Sequence, residues 1–144
     1  MNKKVCIKIK GLHSVGEQED YDEIEVIYIG NYYKRNGKHY IKYDEPIENS
    51  TQANKNTLKV SPKEVELTVN GATGQHMVFT AGQKNMTYYP TPYGGLNMGI
   101  DTYSLEIVEE DERIHIDITY GLEINLDYVS QCRVCIAIES VEDK

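Results

Sequence analysis

The sequence predicts an all-β protein in which residues 1–144 form one domain, a single closed antiparallel barrel of about eight strands. Three observations lead to this prediction. Apolar and polar residues alternate with a period of two through most of the chain, as in strands with one buried face. Turn residues separate these runs at short intervals, and no stretch keeps a helical period for long. Several runs are long, and closing a sheet into a barrel requires long, tilted and coiled strands.

The first three predicted strands lie in the amino-terminal part of the chain. Residues 5–10 alternate strictly, with Val5 as the first apolar residue. Residues 24–33 are apolar on both faces, as in a strand that is covered on both sides. Asn36-Gly37 supplies the two positive-φ residues of a tight hairpin turn. The return strand is therefore predicted at residues 39–43.

Polar composition marks the next region as a loop. Pro46 cannot donate to a strand ladder and is predicted to end the preceding strand. Residues 44–56 form the most polar and irregular stretch of the sequence, so we expect a long loop there. Short alternating runs separated by Pro, Gly and Asn then predict strands at 57–60, 65–69, 76–80 and 86–91.

The carboxy-terminal third contains the longest predicted strands. The apolar face switches near Asp101-Thr102, which indicates a β-bulge or a sharp bend. After an acidic hairpin tip at 109–112, residues 114–126 alternate without interruption, and Gly121 gives this long strand a place to coil. A last strand begins near Val134. Short helical turns at 17–22 and 127–131 are the remaining alternatives to strand.

Charge and composition exclude several functional classes. The formal net charge is −8, whereas a nucleic-acid-binding protein needs a basic surface to neutralise phosphates. An acidic surface also argues against binding to anionic membranes. No stretch resembles a signal peptide or is apolar enough to span a membrane, so we expect a cytoplasmic protein.

The cysteines and histidines predict neither a metal nor a cofactor. Cys132 and Cys135 form a C-x-x-C motif, but it opens a predicted strand, where residues three apart point to opposite faces. Together with Cys6 they make an odd number of cysteines, which does not indicate a disulfide framework. No histidine pair has metal-binding spacing, so no metal site and no cofactor are predicted. The histidines are His13, His39, His76 and His115.

The aromatic residues give the first candidate site. The chain has 12 tyrosines, one phenylalanine and no tryptophan, so its rings carry hydroxyls that can reach water or a ligand. In the segment 89–95 two prolines fix an extended backbone, on which Tyr89, Thr91 and Tyr93 project to one side. This segment predicts either a rigid ligand-binding lip at the barrel mouth or a β-corner whose tyrosines cap the barrel.

Four further residues complete the predicted ligand site. Thr102 lies where the apolar pattern breaks, and it is predicted to project into the interior near the lip. Tyr40, Tyr43 and Glu45 could meet them there, since the first hairpin also ends in a break of the pattern. Phenols and a carboxylate among apolar walls are typical of small-molecule pockets, although a structural hydrogen-bond network uses the same residue types.

Several segments together resemble the family of YwiB-like bacterial proteins. The first is the hairpin of residues 30–33 and 39–45, the second is the pair of segments 89–94 and 98–102, and the third is the strand 120–125. The resemblance spans nearly the whole chain and implies a calycin-type, lipocalin-like β-barrel of roughly eight strands, whereas the alternating runs along the chain number about nine or ten. It implies no activity, because the family is one of unknown function. The Gly-x-Trp motif of lipocalins is absent, so lipocalin ligand chemistry is not carried over.

Three functions remain open on this sequence. The first is a non-enzymatic barrel that binds a small molecule at its mouth or interior. The second is a protein-interaction or structural module, monomeric or homodimeric, that uses an exposed edge or the tyrosine face. The third is an enzyme acting on a small metabolite, with Glu45, tyrosines and His39 as acid or base. No residue is assigned a catalytic role, because fold alone does not choose among them.

Overall fold

The computed structural model describes residues 3–15, 20–46, 51–70, 75–91 and 93–141, and of residues 12–15, 20–23, 75 and 89–91 it describes only the backbone. The described residues form ten strands and no helix that could cross a membrane. The strands are β1 (Lys4–Val15), β2 (Asp20–Arg35), β3 (Lys38–Pro46), β4 (Ala53–Ser61), β5 (Glu64–Asn70), β6 (Gln75–Thr80), β7 (Lys84–Thr91), β8 (Gly94–Glu110), β9 (Arg113–Ile124) and β10 (Asp127–Ser140).

All ten strands belong to one antiparallel sheet in the order β6-β5-β4-β3-β2-β1-β10-β9-β8-β7. Every strand except β6 pairs with the strand that follows it in the chain, and β1 also pairs with β10. The remaining seam, between β6 and β7–β8, is bridged by few hydrogen bonds. The Thr102 amide donates to the Gln83 carbonyl at 3.1 Å, and the Gly82 amide donates to the Thr102 carbonyl at 2.9 Å. The sheet is thus a nearly closed barrel.

The prediction of an all-β barrel is confirmed, but the predicted number of about eight strands is wrong. The structure has ten strands, and β6 and β7 at the seam each pair with only one neighbouring strand. In a closed barrel of eight strands, every strand would be hydrogen-bonded to a neighbour on both sides.

Aliphatic side chains fill the middle of the barrel. Alternate residues of each strand point inward, and those of β9 at Ile114, Ile116 and Ile118 are fully buried. Burying one such side chain contributes roughly 1.5–3 kcal/mol to folding. The other fully buried aliphatic residues are Val5, Ile7, Ile41, Val60, Val65, Ile100 and Ile138.

The predicted face switch in β8 is confirmed as a β-bulge. The pairing of β8 with β9 shifts register between Thr102 and Ser104, so Tyr103 is the additional residue. The Tyr103 ring lies over Gly121, where a Cβ atom would overlap the Tyr103 hydroxyl. Glycine at position 121 therefore permits this close approach, which bends the sheet beside the seam.

Three boundaries differ from the prediction. Most of the predicted loop 44–56 is strand, since β3 continues to Pro46 and β4 begins at Ala53; residues 47–50 lie outside the described ranges. The long strand predicted to reach residue 126 ends at Ile124, because Asn125 and Leu126 adopt positive φ angles of 51° and 73° in a turn. Neither predicted helical turn is found among described residues: 127–131 starts β10, and 20–22 starts β2.

The two sulfurs of the C-x-x-C motif diverge, as predicted. Cys132 points inward and is 1% exposed, whereas Cys135 is partly buried three residues later on β10. The Cys132 sulfur lies 3.5 Å from the Ser130 hydroxyl. The three cysteines carry no disulfide bond.

A candidate ligand-binding site at the barrel mouth

Strands β2 and β3 separate at Gly30. Beyond this residue a side-chain hydrogen bond, and no longer a backbone hydrogen bond, connects them. Their pairing runs from Arg35–Lys38 to Gly30–Tyr43 and stops there. If the same register continued for two more residues, Tyr28 would lie opposite Glu45. The Tyr28 hydroxyl indeed donates to a Glu45 carboxylate oxygen at 3.2 Å. A side-chain hydrogen bond therefore spans the fork between the two strands.

Gly30 makes room for an aromatic pair beside this fork. A Cβ atom at Gly30 would lie 2.5 Å from the Lys42 carbonyl oxygen and 3.1 Å from the Cβ of Tyr43. Without a side chain at position 30, Tyr43 leans toward Tyr28. The two rings stack with centroids 4.8 Å apart and an angle of 27° between their planes. This stacking of phenols forms one wall of the site.

Strand β4 adds two asparagines directly opposite the β3 residues. Asn56 pairs with Tyr43 and Asn54 pairs with Glu45 in the antiparallel register. The Asn54 amide nitrogen donates to Glu45 at 3.4 Å. Because a carboxylate can only accept, this bond fixes which end of the Asn54 amide is the oxygen. The five residues are called the mouth cluster from here on: Tyr28, Tyr43, Glu45, Asn54 and Asn56.

The mouth cluster contains two buried acceptors that lack a donor. Asn56 is only 3% exposed. Its side-chain oxygen and that of Asn54 are buried and accept no hydrogen bond from the described part of the chain. Leaving such an oxygen unsatisfied costs about 1–3 kcal/mol. A water molecule or a ligand with N–H or O–H groups would recover that energy.

Both phenols of the mouth cluster stay neutral at physiological pH. Burial, followed by the charge of Glu45 and the hydrogen bond to it, raises the pKa of Tyr28 to about 12. Burial also raises the pKa of Tyr43, although a hydrogen bond with Asn56 opposes this effect. The site thus combines neutral phenols with carboxylate and amide oxygens, a set that favours a donor-rich ligand.

The same strands line a polar groove next to the mouth cluster. Its volume is about 520 Å³, and its lining includes Lys42, Asp44 and Lys55. The Lys55 ammonium lies 4.0 Å from the Asp44 carboxylate. Strand alternation directs these three side chains away from the barrel interior, while Tyr43 and Asn56 of the mouth cluster also line the groove.

Of the predicted site residues on the first hairpin, Tyr43 and Glu45 come together and Tyr40 does not join them. Tyr40 points outward, where it stacks on Tyr33 with centroids 4.9 Å apart. The Lys59 ammonium lies 5.9 Å from the centre of the Tyr40 ring. Tyr40 therefore belongs to the outer surface of the sheet.

The predicted lip is a hairpin at the same end of the barrel as the mouth cluster. Strand β7 pairs with β8 as far as Thr91–Gly94, and Gly94 has a φ of 119°. Tyr93, in the turn, is 100% exposed. The predicted side-chain positions of Tyr89 and Thr91 lie outside the described residues.

Thr102 is buried at the other end of the β7–β8 pairing. That pairing ends at Lys84–Asp101, next to Thr102. Thr102 is 0% exposed, and its hydroxyl has no hydrogen-bond partner among the described residues. It projects inward as predicted, but it lies at the seam and not at the lip.

Glu45 and His39, the acid or base residues of the enzyme hypothesis, have different hydrogen-bond partners. His39 lies six residues before Glu45 on β3, and its ring bonds to Tyr32 and Glu109 instead. Among the described residues no three His, Cys, Asp or Glu side chains form a metal-binding group.

Three residues of the mouth cluster were missed by sequence reasoning: Tyr28, Asn54 and Asn56. A signal for the asparagines was present, since Asn54, Asn56, Leu58 and Val60 keep a strict two-residue period. The polar character of the first two residues made this segment resemble a loop. No sequence signal distinguished Tyr28 from other tyrosines.

Comparisons with known proteins agree with this architecture. Residues 7–136 match the family described as "Domain of unknown function (DUF1934)". The "Uncharacterized beta-barrel protein YwiB" of Bacillus subtilis is 29% identical over 116 residues, which cover 78% of this chain and 80% of the relative. The crystal structure of the ywiB protein from Bacillus subtilis superposes with a TM-score of 0.81 at 22% identity, covering 97% of this chain and 93% of that one.

Proposed function

This chain belongs to the family "Domain of unknown function (DUF1934)", and we propose that its mouth cluster binds a small molecule rich in hydrogen-bond donors. The resemblance to YwiB-like proteins is confirmed by the family match and the Bacillus relative. One observation carries the proposal: two buried amide oxygens, of Asn54 and Asn56, lack a donor among the described residues beside the Glu45 carboxylate.

The chemistry of the mouth cluster defines the ligand class. Asn54 and Asn56 would accept from N–H groups of the ligand, and the Glu45 carboxylate favours a positive charge over a negative one. The stacked faces of Tyr28 and Tyr43 suit an aliphatic chain or an ammonium group. A small primary amine or diamine meets these requirements, and a small carboxylate does not.

The packed interior supports a site at the mouth and not inside the barrel. Ile116 and Ile118, with the other aliphatic residues of the core, occupy the middle. The polar residues of the mouth cluster lie where β3 ends and β4 begins. Small-molecule sites usually combine apolar walls with a few convergent polar groups, which is the composition found there.

Two finer assignments belong to this proposal. We assign the barrel to the calycin type, in which, as in lipocalins, the ligand would bind at the open end. The support is the meandering antiparallel strand order. We also propose a cytoplasmic location. Its support is that Cys6, Cys132 and Cys135 form no disulfide bond in the structure, since cytosolic proteins keep their thiols reduced.

A thermal-unfolding screen tests the binding proposal. The probes are n-butylamine, 1,4-diaminobutane and, as the negative control, butyrate. We expect the amines to raise the melting temperature of the wild-type protein and butyrate to leave it unchanged. Glu45→Gln should abolish the shift, whereas Asp44→Asn, the same charge change on the outer face of β3, should keep it. Equal shifts in both variants, or none with any amine, would reject the proposal.

An exposed strand edge favours a second candidate function, self-association. Residues 20–29 of β2 pair with β1, and no other described strand pairs with them. Ile27 and Ile29 are 57% and 55% exposed beside this edge. Unpaired edges are templates for strand addition, so two copies could join antiparallel through β2. Light scattering coupled to size exclusion tests it, and a monomer at high concentration would refute it.

A further inference from the structure

We propose that Tyr32, His39 and Glu109 form an activated-phenol site, in which the Tyr32 oxygen attacks an electrophilic acyl or sulfonyl group while His39 takes its proton. This site is at the end of the barrel opposite the mouth cluster. It is therefore independent of the ligand binding proposed there.

Two short hydrogen bonds join the three side chains into a line. The Tyr32 hydroxyl lies 2.6 Å from Nδ1 of His39, and Nε2 of His39 lies 2.6 Å from a Glu109 carboxylate oxygen. His39 is 6% exposed, so its ring is held between two partners and shielded from water. A nucleophile bonded to a base that a third group orients is the signature of nucleophilic catalysis.

The carboxylate fixes the direction of both bonds. Glu109 can only accept, so Nε2 of a neutral His39 must carry the proton. Nδ1 is then the free acceptor, and the Tyr32 hydroxyl donates to it. The line therefore reads from phenol O–H to imidazole to carboxylate, with the imidazole in the tautomer that a general base needs.

Three strands hold the site together. Tyr32 lies on β2, His39 lies on the facing strand β3, and Glu109 reaches them from the end of β8. Glu109 is followed within β8 only by Glu110, yet its side chain contacts His39, which is 70 residues away in sequence. The three groups are thus positioned by tertiary structure and not by a local turn.

A cleft gives a small molecule access to the phenol. It has a volume of about 220 Å³, and its lining includes Tyr32, His39, Glu109 and Lys34. Lys34 is the direct cross-strand neighbour of His39. Its ammonium group can stabilise the negative charge that develops on the oxygen of an attacked acyl or sulfonyl group.

The phenol needs the base, because it does not ionise by itself at neutral pH. Burial and then the negative charge of Glu109 raise the pKa of Tyr32. The proton must therefore leave during the attack. The Tyr32 oxygen forms a bond to the acyl carbon or sulfonyl sulfur, the bond to the leaving group breaks, and its electron pair departs with that group. His39 holds the phenol proton as an imidazolium paired with Glu109, and then gives it to the leaving group or to water.

An aryl sulfonyl fluoride is the probe for this chemistry, because a phenol attacks its sulfur and releases fluoride. The full-length protein is labelled, and the rate at each tyrosine is measured by peptide mass spectrometry. We expect Tyr32 to react about 100-fold faster than Tyr33 and Tyr40, in line with the effect of a positioned base. Labelling of Tyr32 at the rate of these neighbours would overturn the proposal and leave a purely structural hydrogen-bond chain.

Variants separate a chemical role from a structural one. His39→Ala should lower the Tyr32 rate to that of Tyr33, and added imidazole should restore it. Glu109 is a positioning residue, so Glu109→Gln should lower the rate and Glu109→Asp should recover part of it. The matched change Glu106→Gln, at an exposed position of β8 outside the cleft, should have no effect. Failure of imidazole to restore the rate in a His39→Ala protein with a wild-type circular dichroism spectrum would also overturn the proposal.

Discussion

Tyr28 and Glu45 are joined by a 3.2 Å hydrogen bond at a point where their strands no longer share backbone hydrogen bonds. The contact continues the β2–β3 register through side chains alone. It places a phenol and a carboxylate at an opening in the barrel wall, next to the amides of Asn54 and Asn56. The fork between β2 and β3 thus creates the candidate site and also leaves the edge of β2 unpaired.

Replacing Gly30 should destabilise the barrel. A valine there would bring its Cβ 2.5 Å from the Lys42 carbonyl oxygen and would push against Tyr43. We expect Gly30→Val to lower the free energy of unfolding by about 2 kcal/mol in urea denaturation. Gly11→Val is the matched control, because no atom lies within 4 Å of a Cβ at that position. An equal decrease in the free energy of unfolding for Gly30→Val and Gly11→Val would contradict the steric explanation.

The raised pKa of Tyr28 predicts a loss of stability in strong alkali. The unfolded chain gives up this proton near pH 10, whereas the folded protein keeps it up to about pH 12. The free energy of unfolding should therefore fall as the pH rises through that interval. Glu45→Gln removes the negative charge beside the phenol, so it should lower the Tyr28 pKa, measured by NMR titration. Asp44→Asn should leave the Tyr28 pKa unchanged. A decrease as large as that in Glu45→Gln would contradict the contribution assigned to Glu45.

Charging the exposed edge of β2 should abolish self-association. Ile27→Lys places an ammonium beside the unpaired backbone, a change that blocks strand addition. We expect light scattering to give a dimer mass for the wild-type protein and the monomer mass for Ile27→Lys. Val129→Lys on β10, where the side chain is 51% exposed, should leave the mass unchanged. A dimer that survives Ile27→Lys would place the interface elsewhere.

Removing the hydroxyl of Thr102 should stabilise the protein. The hydroxyl is fully buried and has no partner among the described residues, and valine has nearly the same shape. We expect Thr102→Val to raise the free energy of unfolding by about 1 kcal/mol. Thr57→Val, at a partly buried position on β4, should change it by less than about 0.5 kcal/mol. Destabilisation by Thr102→Val would show that the hydroxyl has a partner.

The fold could be predicted largely from alternation, because burial of one sheet face imposes a two-residue period. The bulge at Tyr103 was visible for the same reason, since an additional residue moves the apolar set to the other face. The strand count was too low because it followed the eight-stranded barrel that the family resemblance implies, and the open seam between β6 and β7 is a tertiary feature. Whether neighbouring strands pair along their full length is not encoded in either strand's own pattern.

The candidate site could be predicted only in part. Tyr43 and Glu45 were identified because they end a strand with polar residues on its apolar face. Asn54 and Asn56 were missed because inward polar residues weaken the alternation that marks a strand. Functional positions break local rules in this way, so the segment around them is read as a loop.

The most direct test of the mouth cluster is an NMR titration of the side-chain amide signals of Asn54 and Asn56 with 1,4-diaminobutane. We predict that both amide groups shift in the wild-type protein, saturate with increasing amine, and stay unchanged with butyrate. The same signals should not respond in Glu45→Gln and should respond normally in Asp44→Asn. Amide signals that do not move in the wild-type protein, or that move equally in Glu45→Gln, would contradict ligand binding by the mouth cluster.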